Sequence, residues 1–382
     1  MREIYLDNNA STPLAPEVLE AMLPYYREYY GNPSSLHKKG IEAERALKET
    51  REKLAGLFHV KTSEVFFTSG ATEADNWALK GVARALKRRG KHIITTKVEH
   101  EAVLEACHAL GQEGYEITFL DVDEYGKVKK EDILGAINDN TIMVAIMSVN
   151  NELGTIYPVN EFAKETKTKK EDIIFFTDGV QAFGKLEVNM ENVDIFALSG
   201  HKIHGPKGIG ALIKKENVQI EPLIHGGGQE MNMRSGTENV AGIVGLGKAA
   251  EISYENLDKN KKHIQTLRDK FIRTIKEIDD IRINSPEDAI CSTVNVAFAG
   301  IPAEVLLHAL EEKGIYASTG SACASNSGNK SHVLHAIGLD DKYSDSTLRF
   351  GLSRYNTKEE IGFTCKVLKE ITPELREVTG RK

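Results

Sequence analysis

The four cysteines of this chain, Cys107, Cys291, Cys323 and Cys365, are scattered, and no Cys-x-x-Cys pair occurs among them. That spacing offers neither a zinc site nor a disulfide framework, so no metal is expected and a reducing compartment suits the chain. Long apolar runs are also missing. The longest clear one, Ile142 to Val149, has the length of a strand and falls far short of the roughly 20 residues that cross a bilayer. The N-terminus runs directly into Ile4, Tyr5 and Leu6 without a charged and apolar leader, so the expectation is a cytoplasmic protein without membrane contact. Positive charge is not in excess either. A formal net charge of −7 leaves no basic field for nucleic acid, and the patch Lys87, Arg88, Arg89, Lys91 reads as the polar end of a helix. No internal repeat and no low-complexity linker interrupts the sequence.

What is present is a chain of 382 residues, long enough to bury a large core and to form two domains. Apolar, strand-sized runs lie at Glu64 to Thr68, His92 to Thr96, Glu116 to Leu120, Ile142 to Val149, Ile173 to Thr177, Ile195 to Leu198 and Ile209 to Ile213. Helical patterns at Glu73 to Arg88, Glu101 to Glu113 and Asn160 to Lys167 separate most of them. This alternation predicts an α/β fold, a mostly parallel seven-stranded sheet covered by helices on both faces. An amphipathic stretch from Val240 to Ile278, with a break, leads to a region of different character. There strands Thr293 to Phe298 and Thr347 to Leu352 alternate with helices Ala303 to Lys313 and Lys358 to Glu370, which predicts a smaller α+β domain. The expected division is a large domain over 15–257 and a small one formed by 1–14 and 258–382.

The stretch Leu198 to Gly208 places Lys202 between an apolar strand and a glycine-rich turn. Burial at the mouth of a sheet disfavours the ammonium form, which is the condition a lysine needs to condense with an aldehyde. The plainer reading is a stem packed on the turn with its head in water. Upstream, the buried-type strand Ile173 to Thr177 runs into Asp178, Gly179, Val180 and Gln181. An acid there projects from the sheet edge where open α/β sheets bind ligands, although it could also serve as a helix cap. Lys202 follows Asp178 by 24 residues. Pyridoxal phosphate (PLP) requires that pair, a lysine on its aldehyde and a carboxylate at its pyridinium nitrogen.

Other segments carry weaker signals. Thr68 to Glu73 follows a strand and opens a helix, so the N–H groups around Ala71 and the Thr72 hydroxyl could hold a phosphate or simply cap the helix. His100 and Asn151 each follow a predicted strand, where a structural role is the alternative. The run His225 to Thr237 is too glycine-rich for a helix or strand and lacks the Gly-x-x-x-x-Gly-Lys order of a nucleotide loop. Around Cys323 the segment Gly320 to Asn329 is small and polar, an unusual setting for a free cysteine. Arg349 lies in an alternating strand, and its planar guanidinium matches a carboxylate.

Taken together, Tyr5 to Thr12, Gly31 to His37, Thr68 to Asn76, Val98 to His100, Asn150 to Gly154, Asp178 with Gln181, Ser199 with His201 and Lys202, Arg234 to Asn239, Gly320 to Ser325 and Arg349 to Arg354 resemble, in order and nearly end to end, the cysteine desulfurases of the NifS/IscS type. These are fold-type I PLP-dependent enzymes of the class-V aminotransferase family. The resemblance implies PLP bound by Ala71, Thr72, His100, Asn151, Asp178, Gln181, Ser199, His201 and Lys202. It also implies a homodimer in which Thr237 reaches the neighbouring subunit's PLP phosphate. Lys202, His100 and Cys323 are implied as catalytic, and Asn151 and Arg349 as binding the substrate, L-cysteine. The implied outcome is L-alanine and a persulfide on Cys323, passed to an iron–sulfur scaffold or another acceptor protein. Three alternatives stay open at this point: a selenocysteine lyase, another fold-type I PLP enzyme such as an aminotransferase, and a non-catalytic scaffold on the same fold.

Overall fold

The computed structural model describes residues 3–320 and 331–379. Its largest element is a seven-stranded sheet of β2 (Val65–Thr68), β3 (His92–Thr96), β4 (Glu116–Leu120), β5 (Thr141–Ala145), β6 (Ile174–Asp178), β7 (Ile195–Ser199) and β8 (Gly210–Lys214), which follow the short β1 (Ile4–Tyr5). The spatial order is β2-β8-β7-β6-β5-β3-β4, with β8 antiparallel to both neighbours and every other pairing parallel. All residues of β5, β7 and β8 are buried, as expected of inner strands covered on both faces, whereas β4 at the edge is largely accessible. The strand order and directions give the mostly parallel seven-stranded sheet that the alternation of strands and helices predicts.

Element boundaries differ from the sequence expectation where tertiary bonding intervenes. The apolar run to Val149 leaves the regular sheet after Ala145, because Asn150 Oδ1 gathers the Glu152 and Leu153 N–H groups into a turn. The helix expected over 73–88 begins at Ala71 and contains a π turn at Trp77–Gly81, where buried Trp77 packs edge-on against Phe66 and donates from Nε1 to Glu221 O. The long amphipathic stretch does break, at Asn256, into helices Val240–Glu255 and Leu257–Ile275. The last helix, Lys358–Thr379, runs past the expected end despite Pro373, held by buried Ile371 and by the bond from Thr372 Oγ1 to Leu368 O.

A second, three-stranded antiparallel sheet has the order β12-β10-β9, from β9 (Ile281–Ile283), β10 (Thr293–Phe298) and β12 (Thr347–Gly351), while β1 pairs in parallel with β11 (Ile315–Tyr316). Its own core packs Phe271 against Phe350 with ring centroids 4.8 Å apart. Residues 7–12 connect the two sheets. Asn8 Nδ2 donates to Gly351 O at 2.8 Å and Asn9 Nδ2 to Thr293 Oγ1 at 2.8 Å, while Thr12 N donates to His201 O at 2.9 Å. Gly351 makes this approach possible, since a Cβ there would stand 2.7 Å from Asn9 N and 2.8 Å from Asn8 N. Among the described residues no helix is long and apolar enough to cross a membrane.

Gly351→Ala is therefore expected to push residues 8–9 off the second sheet and to destabilise the protein by about 1–3 kcal/mol, the usual cost of overpacking. Calorimetric unfolding checks this, and a Tm equal to that of the wild type would contradict it.

Candidate active site

The carboxyl ends of β6 and β7 bring together two groups that are far apart in sequence. Asp178 is the last residue of β6, in register with Ala197, and Lys202 closes the single 3-10 turn Gly200–Lys202 after β7. Parallel pairing therefore delivers both to one edge of the sheet, where ligands of open α/β folds bind. Lys202 is half-buried, and its Nζ donates to Asn9 O at 2.7 Å and Ala10 O at 2.8 Å. Asp178 is 7% exposed and accepts from Val180 N at 2.9 Å. Burial pushes its carboxyl up to about 6, against the opposing pull of that N–H and of Lys202.

Both line a cavity of about 530 Å³. Its walls also include Ala71 and Thr72 from the helix after β2, Ser199 and His201 beside the lysine, and His100, Asn151 and Gln181 from loops at the same edge. His100 caps helix Glu101–Gln112, its Nδ1 accepting from Ala102 N at 3.1 Å, which leaves the ring proton on Nε2. Burial first, then Lys202, lowers its pKa to about 4, so the ring is neutral at physiological pH. His201 is lowered to about 4 by the same two causes, and its Nδ1 lies 3.3 Å from Ser11 Oγ.

Arg349 reaches the cavity from β12 of the second sheet. It is 2% exposed, donates to Asn151 O at 3.1 Å and pairs with Asp7 Oδ1 at 3.0 Å, while its buried Nε has no hydrogen-bond partner among the described residues. A rigid, incompletely satisfied guanidinium of this kind is suited to a carboxylate. Thr237 does not line the cavity; it sits on an exposed turn. That turn is tied to the helix after β2 by Arg234, whose Nε and NH2 donate to Glu73 at 2.7 Å and 3.0 Å. Cys323 lies outside the described residues. The two flanks of its segment meet at buried Glu152: Ser331 Oγ donates to Glu152 Oε2 at 2.6 Å, and a Cβ on Gly320 would stand 3.1 Å from the same oxygen. Next to Ser331, His332 Nε2 is 2.9 Å from Glu99 O, one residue before His100.

Sequence reasoning assigned no role to several wall residues. Asn9, Ala10 and Ser11 line the cavity beside Lys202, and the signal for them is the Tyr5 to Thr12 segment, which resembles the family without pointing to any one of these residues. Asp75 is 1% exposed, lines the cavity and has no hydrogen-bond partner on either carboxylate oxygen among the described residues. Burial, then Asp178 and Glu99, push it well above the carboxylate range. Its position within a helical pattern disguises it as a surface residue.

A lysine turn and an acid at adjoining strand ends, facing an arginine from a second sheet, define a fold-type I transferase. The comparisons agree. The aminotransferase class-V family model matches residues 4–363. The chain is 47% identical to the cysteine desulfurase IscS of Dictyoglomus turgidum over 100% of this chain and 97% of that protein. It is 42% identical to the mitochondrial cysteine desulfurase of Saccharomyces cerevisiae, over 99% and 76%. Among solved structures, a NifS-like protein superposes with a TM-score of 0.93 at 41% identity, covering 98% of this chain and 100% of that one. SspA in complex with cysteine superposes with a TM-score of 0.82 at 36% identity, over 93% and 100%. The chain belongs to the class-V aminotransferase family, within its cysteine desulfurase branch.

The half-buried imidazole of His100 gives a signed expectation for stability. Its pKa falls from 6.5 to about 4 on folding, so the unfolded chain takes up a proton that the native chain refuses, and stability is lost as pH falls from 6.5 towards 4. His100→Gln removes this contribution. Urea midpoints of the variant are expected to fall less than those of the wild type between about pH 7 and pH 4.5; parallel curves would refute the burial argument.

Proposed function

We propose that this enzyme is a PLP-dependent cysteine desulfurase that converts L-cysteine to L-alanine and leaves the sulfur as a persulfide on Cys323. The observation that carries the reading is the convergence of Lys202, Asp178 and Arg349 on one cavity. Its polar groups fit the cofactor: an amine for the aldehyde, a buried carboxylate for the ring nitrogen, and N–H and hydroxyl donors at Ala71, Thr72, Ser199 and His201 for the phosphate. The orphaned Nε of Arg349 supports a further anionic group, the substrate's carboxylate. When bound, PLP supplies an electron sink that weakens the bonds at Cα of an amino acid joined to it.

The chain's own residues do the rest. Arg349 holds the α-carboxylate and orients Cα towards Lys202, whose amine moves the proton at that carbon. Neutral His100, with its proton on Nε2, moves a proton at the substrate sulfur. Cys323 attacks that sulfur as a thiolate; an S–S bond forms, the Cβ–S bond breaks, and Cβ gains a proton. Cysteine plus the enzyme thiol thus become alanine plus the persulfide, with no external oxidant.

The same proposal includes a homodimer in which exposed Thr237 serves the partner's phosphate site, with residues 15–257 as the large domain and 1–14 with 258–382 as the small one. It also includes the cytoplasm as the compartment and an iron–sulfur scaffold protein as the sulfur acceptor. The dispersed cysteines suit a reducing compartment such as the cytoplasm.

The test incubates the purified protein with L-cysteine. Wild type is expected to yield alanine and a Cys323 peptide heavier by one sulfur, whereas Cys323→Ala yields neither yet keeps the absorbance of bound PLP. Unchanged alanine production by Cys323→Ala would defeat the sulfur-relay assignment. Arg349→Lys is expected to raise KM for L-cysteine about 10-fold or more, through loss of the bidentate fork.

A further inference from the structure

Lys185, four residues after Gln181 in the turn that follows β6, is a half-buried cation that the chemistry above does not use. Its Nζ donates to Gln181 Oε1 at 2.7 Å, so its hydrogen bond goes to a neutral amide rather than to a carboxylate. Burial, reinforced by Lys202, pushes its ammonium down to about 7. The Gln181 side chain is buried, and its Nε2 donates to Asn9 O at 3.0 Å, the same carbonyl oxygen that Lys202 Nζ reaches at 2.7 Å. Lys185 also lines a second, smaller cavity of about 50 Å³, and Lys202 lines both cavities. The titratable and charged groups around Lys185 are Lys202, His201, His204, Arg349 and Cys291, with Lys261 and Arg354 on the second cavity's wall.

An ammonium offers only hydrogens, so it can be satisfied by a carboxamide only through the amide oxygen. Together with the Asn9 carbonyl, which can only accept, this sets the orientation of Gln181. With Oε1 held by Lys185, the NH2 group is turned towards Asn9 and the main cavity, and one N–H serves Asn9 while the other is left for a ligand. Without Lys185 the amide oxygen loses that bond, and the bond to Asn9 O is left to hold the side chain in place.

We propose that Lys185 is a positioning residue of the PLP site, which fixes the Gln181 carboxamide as a hydrogen-bond donor towards an anionic oxygen on the cofactor's ring. The inference rests on the PLP reading above. It assigns Lys185 no contact with cofactor or substrate; the lysine acts through Gln181.

The experiment titrates the full chain, freed of PLP, with PLP. Its two readouts do not depend on turnover: the dissociation constant of PLP, and the pH at which the visible absorption band of the loaded protein titrates. Lys185→Met is expected to weaken PLP binding about 10-fold and to raise that pH by about one unit, because a ring oxygen that loses its donor holds a neighbouring proton more tightly. Gln181→Leu gives both shifts, and adding Lys185→Met to it changes the affinity by less than about 2-fold. Lys185→Gln, which keeps an N–H donor without the charge, recovers most of the affinity. Thermal unfolding monitors integrity, and Lys185→Leu replaces Lys185→Met if the latter does not fold. A Lys185→Met protein with the affinity and titration pH of the wild type overturns the inference, as does an additive double variant, which would mean that the lysine acts by its charge alone. A wild type that takes up no PLP overturns the PLP reading and the inference with it, and this control tells the two failures apart.

Discussion

The backbone carbonyl of Asn9 is the point on which the site depends. It accepts from Lys202 Nζ and from Gln181 Nε2, while the Asn9 side chain donates to Thr293 Oγ1 of the second sheet and to Asn151 O at 3.1 Å. One residue near the N-terminus therefore fixes the lysine, the amide and the relation between two sheets. Each bond contributes only about 1 kcal/mol net. Their combined effect is geometric, since a cavity whose walls come from separate cores keeps its shape only if something short and rigid joins them. Asn9 can do this because Gly351 lets the backbone of residues 8–9 lie against β12.

Around that point desolvation outweighs the other electrostatic effects at most buried groups; Glu73 is the exception, where burial is overcome by the bonds from Arg234 and Ser69 and the pKa is lowered. His100, His201 and His204 are all lowered to about 4, while Asp178 is raised to about 6, Glu99 to about 8 and Asp75 well above its ordinary value. Burial comes first among the causes in each case, and it drives each group towards its neutral form. Glu99 illustrates the balance: Thr96 Oγ1 and Met147 N donate to it, which favours the carboxylate, yet the buried setting prevails. Such a cavity gains most from a ligand that brings its own charges to groups already placed to meet them. A phosphorylated, zwitterionic cofactor and an amino-acid substrate are ligands of that kind.

Much of this is legible in the chain. The strands with β-branched and aromatic runs, such as Ile93 to Thr96 and Ile174 to Thr177, stand where the pattern puts them, and Asp178 and Lys202 carry side-chain chemistry specific enough to be noticed in a line of text. Less visible are contributions made by groups that every residue possesses. The carbonyls of Asn9 and Ala10 leave no trace in composition or spacing, and Asp75 sits among helix formers where an acid is ordinarily solvated. Lys185 was unremarkable for the same reason: a lysine on a polar turn acquires meaning only when its ammonium is found on the oxygen of Gln181.

The sequence by itself determined the alternation of strands and helices, the placing of an acid and a lysine at the ends of two strands, and a family likeness strong enough to name the chemistry. Those properties are local, or are carried by side chains whose identity is their signal. Tertiary structure alone decided the register that sets Asp178 opposite Ala197, the arrival of Arg349 from another sheet, and the hold of residues 7–12 on both. The physical reason is that strand order, burial and backbone hydrogen bonds between distant residues are properties of the packed chain. A buried group's charge state likewise depends on which neighbours the fold places around it.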